Sequence, residues 1–418
     1  MRRFIILCLA VWSVKCSDDT IIGVKLILIK LCCTQKNGCR EMVGYISLDN
    51  KSQTDFDAPY VVQVTSPVDH AEEPHWDGRK NILYYVDIHN GGVLAYHYYT
   101  KKLSKITLNG ETSPVVPIRK NPNVLLVGLN RSVVAVEWDG KKQLGDQEIL
   151  TTISKQFPKS RFNDGKADKQ GRLWWGTIGP ESNGYVTPNE GLFYKITREN
   201  LENPKVAKAP VSNSNGLAWN KANNKLYYID TPTLKVVEFD YDDEKGTLSK
   251  ENRTIFDMRD YEGKLTGLPD GMTIDDEDNL YIALYGGGAV LKVNPTTRKL
   301  LKVIPIPARD VTSAMFGGPN LDILFVTSSR VSLTAKERLF YPAAGSLFAV
   351  KNLKAKGLPA FTADIVDGVT KRLNLLENLF APDIFYPTPK ESKTVTRNSE
   401  IREFKTPFPF NKLVVADG

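Results

Sequence analysis

The chain has 418 residues, 41% of them hydrophobic and 25% charged, with a net charge of +7. That is the composition of a globular protein, and because Lys/Arg and Asp/Glu alternate nearly everywhere, there is no basic stripe of the kind nucleic acid needs. All five cysteines (Cys8, Cys16, Cys32, Cys33, Cys39) lie in the first 39 residues, which excludes a disulfide, a thiolate metal site or a cysteine nucleophile in the body.

Arg2 and Arg3 followed by the apolar run 4–14 read as a signal peptide over residues 1–16, with cleavage near Ser17. Secretion is the expectation, and the sequons at Asn50, Asn130 and Asn252 agree with it. The alternative is a cytoplasmic protein, because cleavage leaves Cys32, Cys33 and Cys39, an odd number for an oxidising compartment. A second apolar run, 21–31, is broken by Lys25 and Lys30. Neither run reaches the ~20 residues of a membrane span. Residues 17–58 read as a variable segment.

From Tyr60 onward short apolar or β-branched runs recur, split by Gly, Asn and Asp turns. The run 82–88 pairs with 93–96, 173–177 with 191–196, and 226–230 with 236–240. Further on, 280–283 pairs with 289–293 and 323–327 with 345–350. Leu83, Leu173, Leu226, Leu280 and Ile323 hold equivalent places, and the gap after the first pair has room for one more unit around Val133. Six units at a period of about 40–55 residues predict an all-β, six-bladed β-propeller over residues 59–358. A closed ring also explains how so many short strands avoid exposed edges. Residues 359–418 break the pattern and read as a Pro-rich extension, partly extended or disordered, with a short amphipathic helix over 367–379.

Familiar hydrolase signatures are missing. There is no Gly-x-Ser-x-Gly elbow and no His-Glu-x-x-His, and Pro74 forbids the helix that the latter needs. The four histidines, His70, His75, His89 and His97, read as surface or packing residues. Asp240, Asp242, Glu244 and Glu251 imitate the spacing of an EF-hand loop, but Lys245 sits where Gly is required, so a charged hairpin is the better reading. Four polar loops remain, each directly ahead of an apolar run: Glu72 in 71–76, Arg161 to Lys166, Asn215 in 214–219 and Asp270 in 268–272. Asn-Gly and Asp-Gly are ordinary turn dipeptides, yet loops leading into successive blades converge on one end of a propeller channel. There Glu72, Asn215 and Asp270 offer only oxygen, which suits Ca2+, Mg2+ or Mn2+ better than Zn2+. Arg161 and Asn163 add a cation and an amide that suit a polyoxygenated or anionic substrate.

Glu72-x-Pro74-x-Trp76, Arg161-Phe162-Asn163-Asp164-Gly165-Lys166, Ser214-Asn215-Gly216-Leu217-x-Trp219, Pro269-Asp270-Gly271-Met272 and Phe316-Gly317-Gly318 occur together and in order. With these motifs the chain resembles the regucalcin (senescence marker protein)/gluconolactonase family over about residues 60–358, nearest to its animal regucalcin branch, which includes the insect luciferin-regenerating enzyme. The resemblance implies a six-bladed propeller that hydrolyses sugar lactones, as a monomer with a small-molecule substrate. It implies metal ligands at Glu72, Asn215 and Asp270 and substrate contacts at Arg161, Asn163 and Glu181. The expected cofactor is Ca2+, with Zn2+, Mn2+ or Mg2+ as alternatives. The metal would polarise the lactone carbonyl, and Asp270 or a metal-bound water would act as base or nucleophile. Asp164, Gly165 and Lys166 are expected to shape their loop. Ala71 stands where the family usually has Gly. The alternative function is a non-catalytic Ca2+-binding regulatory or ligand-carrying propeller.

Overall fold

The computed structural model describes residues 7–12, 26–31, 58–182 and 184–369. The chain divides into two units, Met1–Ala58 and Pro59–Gly418. In the first, Leu7–Trp12 pairs antiparallel with Leu26–Leu31, so these parts of the two apolar runs form a ribbon. Among the described residues no helix is long and apolar enough to cross a membrane.

The second unit is the six-bladed β-propeller. Blade one is Ala71–Asp77, Ile82–Asp87, Gly92–His97 and Leu103–Thr107; blade two is Thr112–Pro117, Val124–Leu129, Ser132–Glu137 and Gln147–Thr152. Blade three runs through Arg161–Ala167, Leu173–Ile178, Gly191–Ile196 and Lys205–Val211. Blade four runs through Ser214–Trp219, Lys225–Asp230, Lys235–Asp242 and Arg253–Asp257. Blade five is Leu268–Ile274, Leu280–Tyr285, Ala289–Asn294 and Lys299–Pro305. Blade six takes Asp310–Gly317, Ile323–Ser329 and Phe348–Lys351 from one end of the unit and its outer strand, Tyr60–Gln63, from the other. That pairing closes the ring and leaves no unpaired terminal strand at the seam.

The runs legible in the sequence are the two middle strands of each blade. They are apolar on both faces because each blade is covered by two neighbours. A separate cluster of buried side chains fills each of the six gaps between blades. Leu83, Leu173, Leu226 and Leu280 do hold matching places, each packed toward the preceding blade, whereas in blade six that place belongs to Leu324 and Ile323 faces blade one.

Residues 356–365 cross the end of the channel at which the innermost strands finish. The Leu358 N–H donates to Ile274 O, Ala363 bridges to Ile118, and the Asp364 N–H donates to Gly171 O at 2.8 Å. Ala363 and Ile365 are buried against blades two and three. The helix expected over 367–379 is not formed at 367–369, and its remainder lies outside the described residues.

Candidate active site

The polar stretches expected as loops are strands. Glu72, Arg161, Asn163, Asn215 and Asp270 all lie in the innermost strand of a blade, near its first residues. Their Pro, Gly and charged content hid this, because each of these strands carries a bulge there. Two residues face one on the partner strand between Glu72 and His75, between Phe162 and Gly165, between Ser214 and Leu217, and between Pro269 and Met272. Blades two and six have the same irregularity between Thr112 and Val115 and between Val311 and Ala314. A bulge re-aims side chains out of the ladder, and six in register do so at one end of the channel. The Gly in Asn215-Gly216 and in Asp270-Gly271 is not a turn residue. A Cβ on Gly216 would stand 2.6 Å from Asp270 O, and one on Gly271 would stand 2.0 Å from Ser313 Oγ, so the bare backbones let adjacent blades touch.

The bulges gather carboxylates. One oxygen each from Glu72, Glu73 and Asp164 lies within 4.8 Å of the others, and all three residues are buried. Asp270, 7% exposed, is close enough to raise the pKa of Glu72. Burial is the main cause that lifts Glu72 well above the ordinary carboxylate range, followed by Asp164, Asp270 and Glu73. Burial likewise lifts Asp270, with Asp164 and Asp310 adding to it and the Asn215 amide and Arg161 opposing. Asp164 is pushed up to about 7, again chiefly by burial. The cation among these acids is the half-buried Lys166, which donates to Met272 O and interacts with Glu73 and Asp164. Glu73 has a φ of +48°, a left-handed conformation that is uncommon for a residue with a side chain. Asn215 points its amide the useful way round: Nδ2 donates to Thr231 Oγ1 at 2.9 Å, and the buried Oδ1 has no partner.

The other half of the site is Arg161. Its Nη2 and Nε donate to Glu181 Oε2 at 2.7 and 3.1 Å, and its Nη1 donates to Asn163 Oδ1 and Phe162 O. Asn163 Nδ2 donates to Ser214 O and to Asn213 Oδ1, which ties blade three to blade four. Glu181 lies on a two-residue strand, Glu181–Ser182, paired with Tyr185–Val186. Glu111 Oε2 stands 3.7 Å from Arg161 Nε.

All six residues singled out in the sequence thus fall at one end of the channel: Glu72, Asn215 and Asp270 around the carboxylate group, and Arg161, Asn163 and Glu181 around the guanidinium. Four others were missed. Asp164 and Lys166 do more than shape a loop, since Asp164 is buried among the acids and the half-buried Lys166 interacts with two of them. Glu73 was overshadowed by Glu72, although two consecutive acids before Pro74 are themselves a signal in a strand that ends buried. Glu111 had no motif to mark it. Two of the histidines also differ from expectation. His89 Nδ1 lies 2.7 Å from Glu111 Oε1 and His89 Nε2 lies 3.2 Å from His70 Nδ1, which places both beside the site. His75 is a packing residue, its pKa lowered to about 4 mainly by burial.

A ring of bulged strands that gathers buried acids, an unpaired amide oxygen and a guanidinium at one end defines a propeller with a polar, oxygen-lined channel site. Residues 70–330 match the family described as SMP-30/Gluconolactonase/LRE-like region, and the chain belongs to that family. It is 31% identical to regucalcin of Bos taurus over 291 residues, covering 69% of this chain and 93% of that protein. It is 32% identical over 282 residues to a Bacillus subtilis protein named "Putative sugar lactone lactonase YvrE", covering 67% of this chain and 90% of that one. Among solved structures, luciferin-regenerating enzyme superposes with a TM-score of 0.68 at 31% identity, covering 73% of this chain and all of that one.

Proposed function

We propose that the chain is a divalent-cation-dependent hydrolase of sugar lactones. The observation that carries this is the buried, under-neutralised acid group. Glu72, Glu73, Asp164 and Asp270 face Lys166 and, more distantly, Arg161, with Asn215 Oδ1 left without a donor. Unpaired buried carboxylates cost several kcal/mol each, and an oxygen-only set with a free amide oxygen fits a hard dication. Glu72, Asn215 and Asp270 are the residues that would hold it, with Ca2+ the best match and Mn2+, Mg2+ or Zn2+ as alternatives. A dication there supplies a Lewis acid for the lactone carbonyl and charge for the oxyanion.

The chain's own residues account for the remaining work. The buried Asp270 accepts a proton from the water that adds to the carbonyl carbon. The ring C–O bond then breaks and the proton passes to the departing ring oxygen. Arg161 and Asn163 orient the sugar hydroxyls, which requires Glu181 to share or release the guanidinium that it now occupies. A second reading, binding without turnover, is favoured by that same engagement of Arg161. The family membership and the relative named as a sugar lactone lactonase favour hydrolysis.

The test is hydrolysis of D-glucono-δ-lactone by the chelated chain before and after addition of Ca2+, Mn2+, Mg2+ or Zn2+, with Asp270→Ala as control. Cation-dependent turnover that Asp270→Ala abolishes is the expected result. Cation binding by calorimetry with no turnover on any sugar or aryl lactone would establish the binding reading instead. We also propose secretion and a monomeric state, to be read from the N-terminus of the mature chain and from its mass in solution.

A further inference from the structure

We infer that Glu111, braced by His89 and His70, is a specificity-determining residue that keeps phosphorylated and other anionic sugars away from Arg161. The inference rests on the reading above that Arg161 meets the substrate.

Arg161 stands between two carboxylates, Glu181 at 2.7 Å and Glu111 at 3.7 Å, so the mouth of the site carries one positive and two negative charges. The two acids differ in how they are held. Glu181 sits on a short ribbon and bonds Arg161 directly. Glu111 is fixed from three sides. Its N–H donates to Asn130 Oδ1 at 3.0 Å, its carbonyl accepts from the Asn130 N–H at 2.8 Å, and its Oε1 meets His89 Nδ1 at 2.7 Å. His89 in turn meets His70 Nδ1 at 3.2 Å through Nε2. With both rings neutral, only one arrangement satisfies both contacts: His70 Nδ1–H donates to His89 Nε2, and His89 Nδ1–H donates to Glu111. The two histidines are therefore a strut from blade one that aims the second oxygen of Glu111 at Arg161.

A ligand that displaces Glu181 still meets Glu111. Beside one another, Arg161 offers only donors and Glu111 only acceptors. A sugar hydroxyl satisfies both, accepting from the guanidinium while donating to the carboxylate. A phosphate or carboxylate accepts from Arg161 but has no proton for Glu111, and the two anions repel. Rejection by an unsatisfied like charge is a common route to selectivity.

The experiment compares two sugar acids that the enzyme does not hydrolyse. D-Gluconate and 6-phospho-D-gluconate are titrated calorimetrically into the full chain supplied with Ca2+. The ratio of their dissociation constants isolates the phosphate, because any contact of the common carboxylate cancels. Glu111→Gln should raise the preference for the phosphorylated acid about tenfold, the order expected for removing one nearby charge in a partly screened site. Glu111→Asp keeps the charge and should stay within about twofold of wild type, and His89→Ala should shift the ratio in the same direction by less. A ratio unchanged in Glu111→Gln, an equal rise in Glu111→Asp, or failure of every variant to bind either acid would overturn the inference. Because no turnover is needed, a chain that shows the shift but hydrolyses no lactone would refute the lactonase reading and leave this one standing.

Discussion

The innermost strands of blades one, three and five each bear a buried acid at or within their first four residues and have a second at their last residue or just past it, and the two differ sharply. At the far end Asp77, Asp168 and Asp275 are 2%, 0% and 0% exposed, and each is saturated. Asp77 takes Arg79; Asp168 takes Arg172, Trp174 Nε1 and Tyr241 OH; Asp275 takes Asn279, Tyr281 OH and Lys292. At the near end Glu72, Asp164 and Asp270 are equally buried but lean on one another, and Asp164 Oδ2 has no partner. Residue type, strand and burial are shared, so none of these marks a site. What separates a structural acid from a candidate ligand is whether the fold has already supplied its cations and donors.

The largest effect should come from the saturated end. Asp168→Ala removes the nearest carboxylate from Arg172 and leaves two buried donors, Trp174 Nε1 and Tyr241 OH, unpaired, which should cost about 3–5 kcal/mol in a denaturant titration. It should leave the cation stoichiometry of the refolded chain unchanged. Asp270→Asn at the near end should do the reverse. Turnover on the lactone should fall about a hundredfold or more, while the cation-free chain is no less stable than wild type, because a carboxyl that resists ionisation has been replaced by a neutral isostere. Loss of stability in Asp270→Asn, or none in Asp168→Ala, would break the contrast.

The pH dependence sharpens it. In the cation-free chain the carboxyl pKa values of Glu72, Glu73 and Asp270 lie well above the ordinary 4.5, 4.5 and 3.8, chiefly through burial. Between those values and the raised ones the folded chain holds more protons than the unfolded chain, so these groups lower stability as the pH rises through that window. Binding a dication expels the same protons. The gain in melting temperature on adding Ca2+ should therefore grow from about pH 5 to about pH 8. Taking the difference with and without Ca2+ cancels His75, whose lowered pKa acts in the opposite direction. A gain that is flat with pH would place the cation away from these carboxylates.

The same contrast explains what was legible before the structure. The middle strands announce themselves, as in Ile82–Asp87 or Leu280–Tyr285, because both of their faces are buried and apolar. The innermost strands do not. Ala71-Glu72-Glu73-Pro74 and Leu268-Pro269-Asp270-Gly271 contain the residues that usually end strands, and only the bulge and the approach of the next blade reconcile them with pairing. The outer strands, such as Lys205–Val211 and Lys299–Pro305, are too exposed to show a hydrophobic pattern. The partner of Tyr60–Gln63 lies nearly 300 residues away at Phe348–Lys351, so no local signal sets the ring closure. For the site, motif residues such as Asn215 and Asp270 were readable as types. Whether Asp164 faces a cation or a loop depends on a one-residue bulge, and Glu111 becomes visible only through the neighbours it touches.

The smallest expected effect lies at a third kind of acid, outside the buried interior. Asp240, Asp242, Glu244 and Glu251 mimic a calcium loop in spacing, but the chain there is a hairpin in which Lys235–Asp242 turns back into Thr247–Leu248. Asp242 already accepts from the Lys245 N–H at 3.0 Å and pairs with Lys245 Nζ at 3.2 Å, with both side chains in water, and Asp240 pairs with Arg253 Nη2 at 2.6 Å. Such pairs are screened and contribute little. An incoming cation would also have to displace two basic side chains rather than relieve an unpaired charge. Asp242→Asn should therefore leave the number of bound Ca2+ ions, measured by equilibrium dialysis, and the lactone turnover at wild-type values. Loss of one bound ion in this variant would show that exposed, partnered acids bind cations in this fold as well. The division between the two ends of the innermost strands would then cease to be a guide to where the site is.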